Sequence, residues 1–313
     1  MRIVFMGTPD FSVPTLEALV ASEHEVAAVV TQPDKPKGRG KEIHMSPVKE
    51  CALQHNIPVY QPVRARDEAF VEEMRTLKPD AMVVIAFGQI LPKSLLDLPK
   101  YGCVNIHASL LPKYRGAAPI QWAVINGDEE TGITTMMMDV EMDTGDMLEK
   151  TVVKLDPEET GGSLFDRLSL LGGDLILSTL SKLEKGEITP VPQDHEKATY
   201  VKKISKSMGD IDWTMDAVSI ERLVRGLNPW PSAFTRWNGK MLKIWEAKVL
   251  PDPDVKLPCG SVISASDEGL KIQTGAGVLC VTSLQLEGKK RMDTAAFLRG
   301  YQVAAGSMME RSE

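Results

Sequence analysis

The sequence has few cysteines, and their arrangement is typical of free thiols. Its 313 residues include four cysteines, which lie too far apart for a Cys-x-x-Cys motif and do not pair with histidines at metal-binding spacing: Cys51, Cys103, Cys259 and Cys280. A disulfide framework would need more cysteines, and a structural zinc site would need them in close pairs. We therefore expect reduced cysteines, no metal site and an intracellular protein.

Long apolar runs are also missing. The longest one, residues 81–91, contains Gly88 and Gln89. It falls far short of the ~20 residues that a membrane-spanning helix requires. The first residues of the chain lead directly into a strand-like segment, so we expect no signal peptide. These features predict a cytoplasmic protein without membrane contact.

The chain has no strong excess of positive charge. Its formal net charge of −7 gives no sign of a nucleic-acid binder. The charge is uneven, however, because residues 1–205 carry a net charge of −8 and residues 206–313 carry +1. One basic segment interrupts the acidic part and consists of Lys35, Lys37, Arg39 and Lys41. Such a segment could neutralise several phosphates of a nucleic acid, although a solvated surface loop explains it equally well.

Short apolar runs alternate with helical patterns over the first 183 residues. Runs rich in Val and Ile predict strands buried on both faces of a parallel sheet, at residues 3–6, 26–31, 81–87 and 103–107. Apolar positions spaced by three and four predict helices at residues 13–21, 46–55 and 67–77. Two further strands (133–138 and 148–155) and an amphipathic helix (164–183) follow. The pattern predicts an α/β fold with a Rossmann-like, doubly wound sheet in a domain spanning residues 1–183.

The pattern changes after residue 183. Residues 184–205 are polar, include two prolines and show no sustained period, which indicates a linker. In the predicted second domain, residues 206–313, a helix at 216–227 precedes short strands at 232–237, 240–249, 260–265, 270–274 and 278–286. Asn238 and Gly239 between the first two strands indicate a hairpin. Five short strands with tight turns predict a small OB-like β-barrel.

The strongest candidate site follows the strand at residues 103–107. Asn105 and His107 are two residues apart on this strand, so their side chains leave the same face. They lie at its carboxyl end, where ligands bind in open α/β sheets. The alternative is that His107 is a hydrogen-bonded histidine at a strand end and that Asn105 begins a turn.

An acidic loop at residues 139–146 weakens that alternative. An amide donor, an imidazole and a carboxylate are the minimum set for acyl transfer to an amine, in which the amine loses a proton and the carbonyl oxygen becomes negative. The amide would bind the oxyanion, and a carboxylate would favour the imidazolium form of the histidine. A calcium loop is disfavoured because its ligand spacing is not present.

Other reaction classes lack their motifs. Gly7 stands alone where a dinucleotide-binding turn requires three glycines, and Gly38-Arg39-Gly40-Lys41 lacks the spacer and the Ser or Thr of a phosphate-binding loop. A G-x-S-x-G nucleophile motif is also missing from the sequence. Nicotinamide chemistry, nucleotide hydrolysis and serine-based hydrolysis are therefore not expected.

The chain resembles the folate-dependent formyltransferase family over almost its whole length. The matching segments are FMGTPDF at 5–11, TQPD at 31–34, NIHASLLPKYRG at 105–116, DVEMDTG at 139–145 and NPWP at 228–231. The Asn-x-His and Ser-Leu-Leu-Pro elements mark the whole family. The basic segment and the NPWP turn favour the branch whose members formylate the methionine on initiator tRNA.

This resemblance implies a function and a set of site residues. The formyl donor would be 10-formyltetrahydrofolate, leaving tetrahydrofolate as product, and the acceptor would be initiator methionyl-tRNA. Asn105, His107 and Asp143 would form the catalytic set. Ser109, Leu110, Leu111 and Pro112 would line the folate site, and the basic segment around Arg39 would contact the tRNA, together with the C-terminal domain. We expect a monomer that contains no metal.

Three alternatives remain open at this stage. The same donor could formylate a small amine, in which case bulk tRNA would not compete with the substrate. The chain could bind tRNA without catalysis and would then need none of Asn105, His107 and Asp143. It could also hydrolyse the donor, releasing formate without an amine acceptor.

Overall fold

The computed structural model describes residues 1–37, 42–254 and 256–311. Contacts divide the chain into two units. Unit 1 comprises Met1–Pro119, Glu130–Lys154 and Phe165–Val201, and unit 2 comprises Ile120–Glu129, Leu155–Leu164 and Lys202–Glu313. The predicted boundaries of 1–183, 184–205 and 206–313 stay a prediction.

The described residues form strands and helices in both units. The strands are β1 (Arg2–Gly7), β2 (Glu25–Val30), β3 (Lys35–Lys37), β4 (Glu42–His44), β5 (Val59–Tyr60), β6 (Ala81–Ile85), β7 (Cys103–His107), β8 (Arg115–Gly116), β9 (Glu130–Met137), β10 (Met147–Lys154), β11 (Tyr200–Val201), β12 (Ala233–Trp237), β13 (Lys240–Leu250), β14 (Val262–Ser266), β15 (Gly269–Gln273), β16 (Val278–Leu286) and β17 (Met292–Asp293). The α-helices are α1 (Val13–Val20), α2 (Pro47–Gln54), α3 (Glu68–Thr76), α4 (Lys93–Leu96), α5 (Pro119–Ile125), α6 (Gly161–Lys185), α7 (Ala217–Gly226) and α8 (Thr294–Leu298).

A seven-stranded sheet forms the centre of unit 1. Its strand order is β10-β9-β7-β6-β1-β2-β5. The five neighbouring strands β7, β6, β1, β2 and β5 are all parallel to one another. By contrast, β9 is antiparallel to β7, and β10 is antiparallel to β9. Every residue of β6 is buried, as expected for a strand covered on both faces. The predicted α/β class with a mainly parallel sheet is confirmed.

The order of the strands creates the place for a site. The chain runs from β1 to β2 on one side and later enters β6 on the other side of β1, so the winding of the sheet reverses beside β1. The carboxyl ends of strands beside such a reversal form a crevice where ligands bind. Strand β7 neighbours β6, which places Asn105 and His107 at this edge.

Unit 2 contains an antiparallel sheet with strand order β12-β13-β16-β15-β14, and β17 also pairs with β16. The Asn238-Gly239 hairpin between β12 and β13 is confirmed. The core includes Trp213 and Trp237. Among the described residues, β12 does not pair with β14, so the OB-like barrel is not confirmed. A β-barrel closes only when its two edge strands pair with each other. The number of strands and the positions of the turns do not specify this pairing.

The predicted linker contains structure that its sequence did not indicate. Tyr200–Val201 pairs in parallel with Arg115–Gly116. Gln193 is only 4% exposed, and the contacts of unit 1 extend to Val201. These residues pack through polar groups and a two-residue strand, neither of which produces an apolar period.

Helix α6 is joined to the sheet through the carboxylate of Glu149 on β10. This carboxylate accepts hydrogen bonds from Ser178 (3.1 Å), Thr179 (2.7 Å) and the Lys182 ammonium. Burial alone raises the pKa of Glu149, but the hydrogen bonds from Lys182, Thr179 and Ser178 together lower it further, and the net pKa lies below its ordinary value. The ionised carboxylate therefore stabilises the folded state.

We predict that Glu149→Gln lowers the free energy of unfolding by about 1–2 kcal/mol at neutral pH, because charge-assisted hydrogen bonds are lost. The folded-state pKa is depressed, so this stabilisation is complete above the ordinary pKa of 4.5 and disappears as the pH falls through the folded-state value. Urea unfolding of both proteins at a series of pH values measures the difference. The exposed Glu187→Gln is the control. A difference between Glu149→Gln and the parent that stays constant down to acidic pH would contradict the assignment.

Candidate active site

Strand β7 supplies two of the candidate side chains. Asn105 is half-buried, and its amide makes no hydrogen bond to another described residue. His107 is 7% exposed and follows two positions later, on the same face of the strand. A partly exposed amide without a protein partner is available to a ligand. The structure thus places the predicted amide and imidazole at one edge of the sheet.

The imidazole of His107 has both nitrogen atoms assigned. Nε2 lies 2.8 Å from the carbonyl oxygen of Tyr114, and because a carbonyl only accepts, Nε2 carries a hydrogen and donates it. Nδ1 lies 3.7 Å from Oδ1 of Asp143, an ion-pair contact that is too long for a hydrogen bond. The neutral ring therefore has its lone pair on Nδ1, and the cation has a second N–H there.

Asp143 is held in place by its backbone as well as by its carboxylate. Its φ of 56° lies in the left-handed region, which a residue other than glycine adopts only when its surroundings hold it there. Oδ2 accepts a 2.7 Å hydrogen bond from the amide N–H of Gly116. The side chain of Asp143 is 15% exposed. The structure therefore brings the predicted Asp143 to His107, across 36 positions of sequence.

Gly116 is required at its position by geometry. Its φ is +100°, and a Cβ atom there would lie 2.6 Å from the carbonyl oxygen of Val201. Any larger residue would displace either strand β11 or the amide that binds Asp143.

The segment Ser109–Pro112 is fixed by hydrogen bonds rather than left open. Ser109 is fully buried, and its hydroxyl donates to the carbonyl oxygen of Lys113 at 2.6 Å. The hydroxyl of Thr134 donates to the carbonyl oxygen of Ser109 and accepts from the amide of Leu111. Leu111 is buried, whereas Leu110 and Pro112 are half-buried. Of the four predicted folate-contacting side chains, only those of Leu110 and Pro112 offer surface.

A lysine also supports this segment. Nζ of Lys150 donates to the carbonyl oxygen of Leu111 at 2.6 Å, and burial lowers the pKa of Lys150. The loop is thus tied to strands β9 and β10, which favours a preorganised site.

Sequence reasoning missed a buried polar cluster behind the site. Arg115 is fully buried, and its guanidinium contacts Gln193, His195 and Tyr200. Arg115 lies inside the 105–116 segment that carried the resemblance, so that segment could have pointed to it. The other members lie in the predicted linker, where nothing in the sequence indicated a contact.

The basic segment is described only in part. Lys35 is exposed, and Lys35–Lys37 pairs with Glu42–His44 as an antiparallel hairpin. Arg39 and Lys41 lie outside the described residues. The base of the hairpin is anchored by Asp34, which contacts Lys49 at 2.6 Å and Gln61 at 2.7 Å. The hydrogen bonds from Lys49 and Gln61 hold the pKa of Asp34 below its ordinary value.

Two further observations concern the Cys103 thiol and metal-ligating side chains among the described residues. Burial raises the pKa of the Cys103 thiol to about 12, so this thiol is protonated and a poor nucleophile. The described residues contain no cluster of three or more metal-ligating side chains.

None of the helices within residues 1–37, 42–254 and 256–311 is long and apolar enough to cross a membrane.

Comparisons with known proteins identify the family of the chain. The Formyl transferase family model matches residues 1–180, and the model of the formyltransferase C-terminal domain matches residues 203–302. The methionyl-tRNA formyltransferase of Agathobacter rectalis is 59% identical over 98% of this chain and 99% of its own length, and that of Lachnospira eligens is 58% identical over 99% of both. The chain belongs to the methionyl-tRNA formyltransferase family.

Solved structures show the same fold at low sequence identity. HypX from Aquifex aeolicus, solved in complex with tetrahydrofolic acid, superposes with a TM-score of 0.62 at 20% identity. The match covers 95% of this chain and 47% of HypX, so this chain spans about half the length of that protein. The family resemblance inferred from the sequence is confirmed, and the fold extends beyond the family's closely related members.

We predict that the neutral form of His107 is the Nε2–H tautomer, because the Tyr114 carbonyl can only accept. His195 should show the same tautomer, since Nη1 of Arg115 lies 3.3 Å from its Nδ1 and can only donate. Long-range ¹H–¹⁵N spectra of ¹⁵N-labelled protein at alkaline pH measure the tautomers, with the exposed His44 as reference. A neutral His107 protonated on Nδ1 would refute this geometry.

Proposed function

We propose that this protein transfers the formyl group of 10-formyltetrahydrofolate to the α-amino group of methionine on initiator methionyl-tRNA. The observation that carries the proposal is the placement of His107 beside Asp143, two residues along β7 from Asn105, whose side-chain amide has no hydrogen-bond partner among the described residues. The chain is 59% identical to a methionyl-tRNA formyltransferase. Its products are N-formylmethionyl-tRNA and tetrahydrofolate. Initiator tRNA is used for translation in the cytoplasm, where we expect the enzyme to act as a monomer.

The reaction requires one bond to form and one to break at the formyl carbon. The amine nitrogen attacks this carbon, and its electron pair forms the new C–N bond while the carbonyl oxygen takes the negative charge. The bond to N10 of the folate then breaks, and N10 gains the proton that the amine loses. Asn105 is assigned to the oxyanion, because its side-chain amide is an N–H donor that makes no hydrogen bond to another described residue.

His107 and Asp143 are assigned to the proton. Because Nε2 is bound to Tyr114, Nδ1 is the nitrogen assigned to exchange a proton with the substrate. When Nδ1 is unprotonated, its lone pair accepts a proton from the amine. When Nδ1 is protonated, its N–H group stabilises the oxyanion or donates the proton to N10. The carboxylate of Asp143, 3.7 Å away, stabilises the imidazolium in between. Acceptance and donation therefore occur at one atom.

Ser109, Leu110, Leu111 and Pro112 are assigned to the folate site in two roles. The half-buried Leu110 and Pro112 offer apolar surface to the folate ring system. The buried Ser109 and Leu111 hold the segment in shape through Lys113, Thr134 and Lys150. The HypX complex with tetrahydrofolic acid supports a folate site on this fold.

Two basic surfaces are assigned to the tRNA. The first is the basic segment with Lys35, Lys37, Arg39 and Lys41. The second is the exposed face of the sheet in unit 2, where Lys243 and Arg291 lie 5.7 and 5.2 Å from the ring centre of Trp245. Cations beside a partly exposed indole provide both phosphate contacts and a stacking surface.

The proposal is tested by incubating the protein with methionyl-tRNA and 10-formyltetrahydrofolate labelled in the formyl group. The label should appear on the methionyl-tRNA. Release of labelled formate with the methionyl-tRNA left unmodified, or equal formylation of a small amine in the presence of excess tRNA, would contradict the proposal.

Asn105→Ala should lower kcat by ~10²–10³, because one preorganised donor to the oxyanion is lost. The KM for methionyl-tRNA should change little, since the amide acts at the reacting carbon. Steady-state kinetics with both substrates measures this, and Gln54→Ala, which removes an exposed amide on α2, is the control. Turnover close to that of the parent enzyme would remove Asn105 from the mechanism.

Replacing Lys37 and Arg39 together by Ala should raise the KM for methionyl-tRNA and flatten its salt dependence. Each lost phosphate contact reduces the slope of log affinity against log salt by about 0.7–0.9. The KM for the formyl donor should not change. Lys154→Ala with Lys185→Ala, two exposed lysines of unit 1, is the charge-matched control. Equal effects of the two double variants would show that the hairpin segment makes no specific contact with tRNA.

A further inference from the structure

Gln193 joins the loop that carries Asp143 to a buried arginine. Its side-chain Nε2 donates to the carbonyl oxygens of Asp143 at 2.9 Å and Gly145 at 2.8 Å. Its Oε1 accepts from Nε and Nη2 of Arg115 at 3.0 and 2.8 Å. Gln193 is 4% exposed; its hydrogen bonds to Arg115 and to Gly145 are buried, and its hydrogen bond to Asp143 is partly buried. The amide oxygen of Gln193 therefore binds Arg115, and its amide nitrogen binds the loop that carries Asp143.

Arg115 has an unusual set of partners for a buried cation. Besides Gln193, it contacts Nδ1 of His195 at 3.3 Å, the hydroxyl of Tyr200 at 2.9 Å and the Tyr200 ring at 5.6 Å. Within the described residues, no carboxylate lies within 4 Å of its guanidinium. Buried cations normally pair with a carboxylate, because an unpaired buried charge is costly. The structure therefore has a neutral amide where a glutamate would neutralise the charge.

The other end of Gln193 explains this choice. The carbonyl oxygens of Asp143 and Gly145 need a donor, and a glutamate at position 193 would place an acceptor against them. Only an amide can accept from Arg115 and donate to this loop at the same time. The loop that carries Asp143 therefore requires an amide at position 193, whereas Arg115 alone would also accept a glutamate there.

The same cluster also holds the carboxylate of Asp143. Gly116 follows Arg115 in sequence and donates its N–H to Oδ2 of Asp143. The backbone of Arg115 is itself fixed by a 2.8 Å hydrogen bond from its N–H to the carbonyl oxygen of Thr199. Arg115 and Gly116 therefore hold Asp143 twice, at its backbone through Gln193 and at its carboxylate directly.

We propose that Gln193, fixed by Arg115, is a positioning residue that holds the carboxylate of Asp143 at Nδ1 of His107. It touches no substrate; it holds the left-handed backbone of Asp143 by binding the carbonyl oxygens on both sides of Thr144. This inference rests on the proposed function for its kinetic consequence, whereas its structural consequence is independent of substrate. A purely structural role, in which Gln193 only satisfies Arg115, is the alternative.

The substitution Gln193→Glu separates the two roles. A glutamate pairs with Arg115 at least as well as glutamine does, so a purely structural role predicts an enzyme with unchanged turnover. Positioning predicts that the folded variant loses 10–100-fold in kcat, because displacement of a catalytic group by about 1 Å has effects of this size. The KM values for methionyl-tRNA and for the formyl donor should stay within about threefold, since binding is not removed.

A matched control measures the effect of a buried glutamate as such. Gln273 in unit 2 is 1% exposed, and its Nε2 donates to the carbonyl oxygen of Thr274 at 3.1 Å. Gln273→Glu therefore introduces a comparable buried acid that faces a carbonyl group, outside the candidate site. Its kcat per folded molecule should equal that of the parent enzyme. Circular dichroism and thermal unfolding establish the folded fraction of each variant.

A second variant and a second measurement complete the test. If Gln193→Glu does not fold, Gln193→Asn is judged by the same kinetic criterion, because its neutral amide is one methylene too short to reach both Arg115 and the loop. The ¹⁵N signals of the His107 imidazole should shift in the folded variant, while those of His24 and His55 should not. A folded variant at position 193 with the kcat of the parent enzyme overturns the proposal. If the parent enzyme itself does not formylate methionyl-tRNA, the proposed function fails instead, and unshifted His107 signals then overturn the positioning role.

Discussion

The hydrogen bond from Nε2 of His107 to the Tyr114 carbonyl is the constraint on which the candidate site depends. It commits one nitrogen of the imidazole permanently, so that all proton chemistry must take place at Nδ1. Formyl transfer needs a group that first accepts a proton and then donates one at the same place. In the proposed reaction, an imidazole with a single free nitrogen meets this need without moving, and the carboxylate of Asp143 lies 3.7 Å from that nitrogen.

The sequence was sufficient for the parts of the site that follow from strand geometry. Alternation along β7 places Asn105 and His107 on one face, and the winding of the sheet places both at its carboxyl edge. It was not sufficient to choose among the acids of residues 139–146, where the choice of Asp143 came from family resemblance. In the structure Asp139 binds its own loop at Val140 N, whereas Asp143 binds Gly116, 27 positions earlier in the chain. Such long-range contacts leave no local pattern.

The segment 184–205 shows the same limit for the fold. Apolar periodicity reports side chains that pack into a core, and for that reason it predicted six strands of the seven-stranded sheet but not the two-residue β5. Gln193, His195 and Tyr200 pack through hydrogen bonds to Arg115, and polar contacts have no period. A stretch that is polar, contains prolines and lacks a period resembles a linker even when it completes a site. The hairpin at Asn238-Gly239 was predictable because its turn chemistry is local.

The cluster around Arg115 keeps a buried positive charge without a carboxylate partner among the described residues. A glutamate at position 193 would neutralise the guanidinium and remove the cost of an unpaired buried cation. With glutamine there, a positive charge remains in the interior, on the residue adjacent to the amide that binds Asp143. The proposed positioning role of Gln193 accounts for this charge, because a glutamate in its place could not donate to the carbonyl oxygens of Asp143 and Gly145. On that proposal, the chain retains an unpaired buried cation for the sake of the orientation of Asp143, on which the proposed reaction depends.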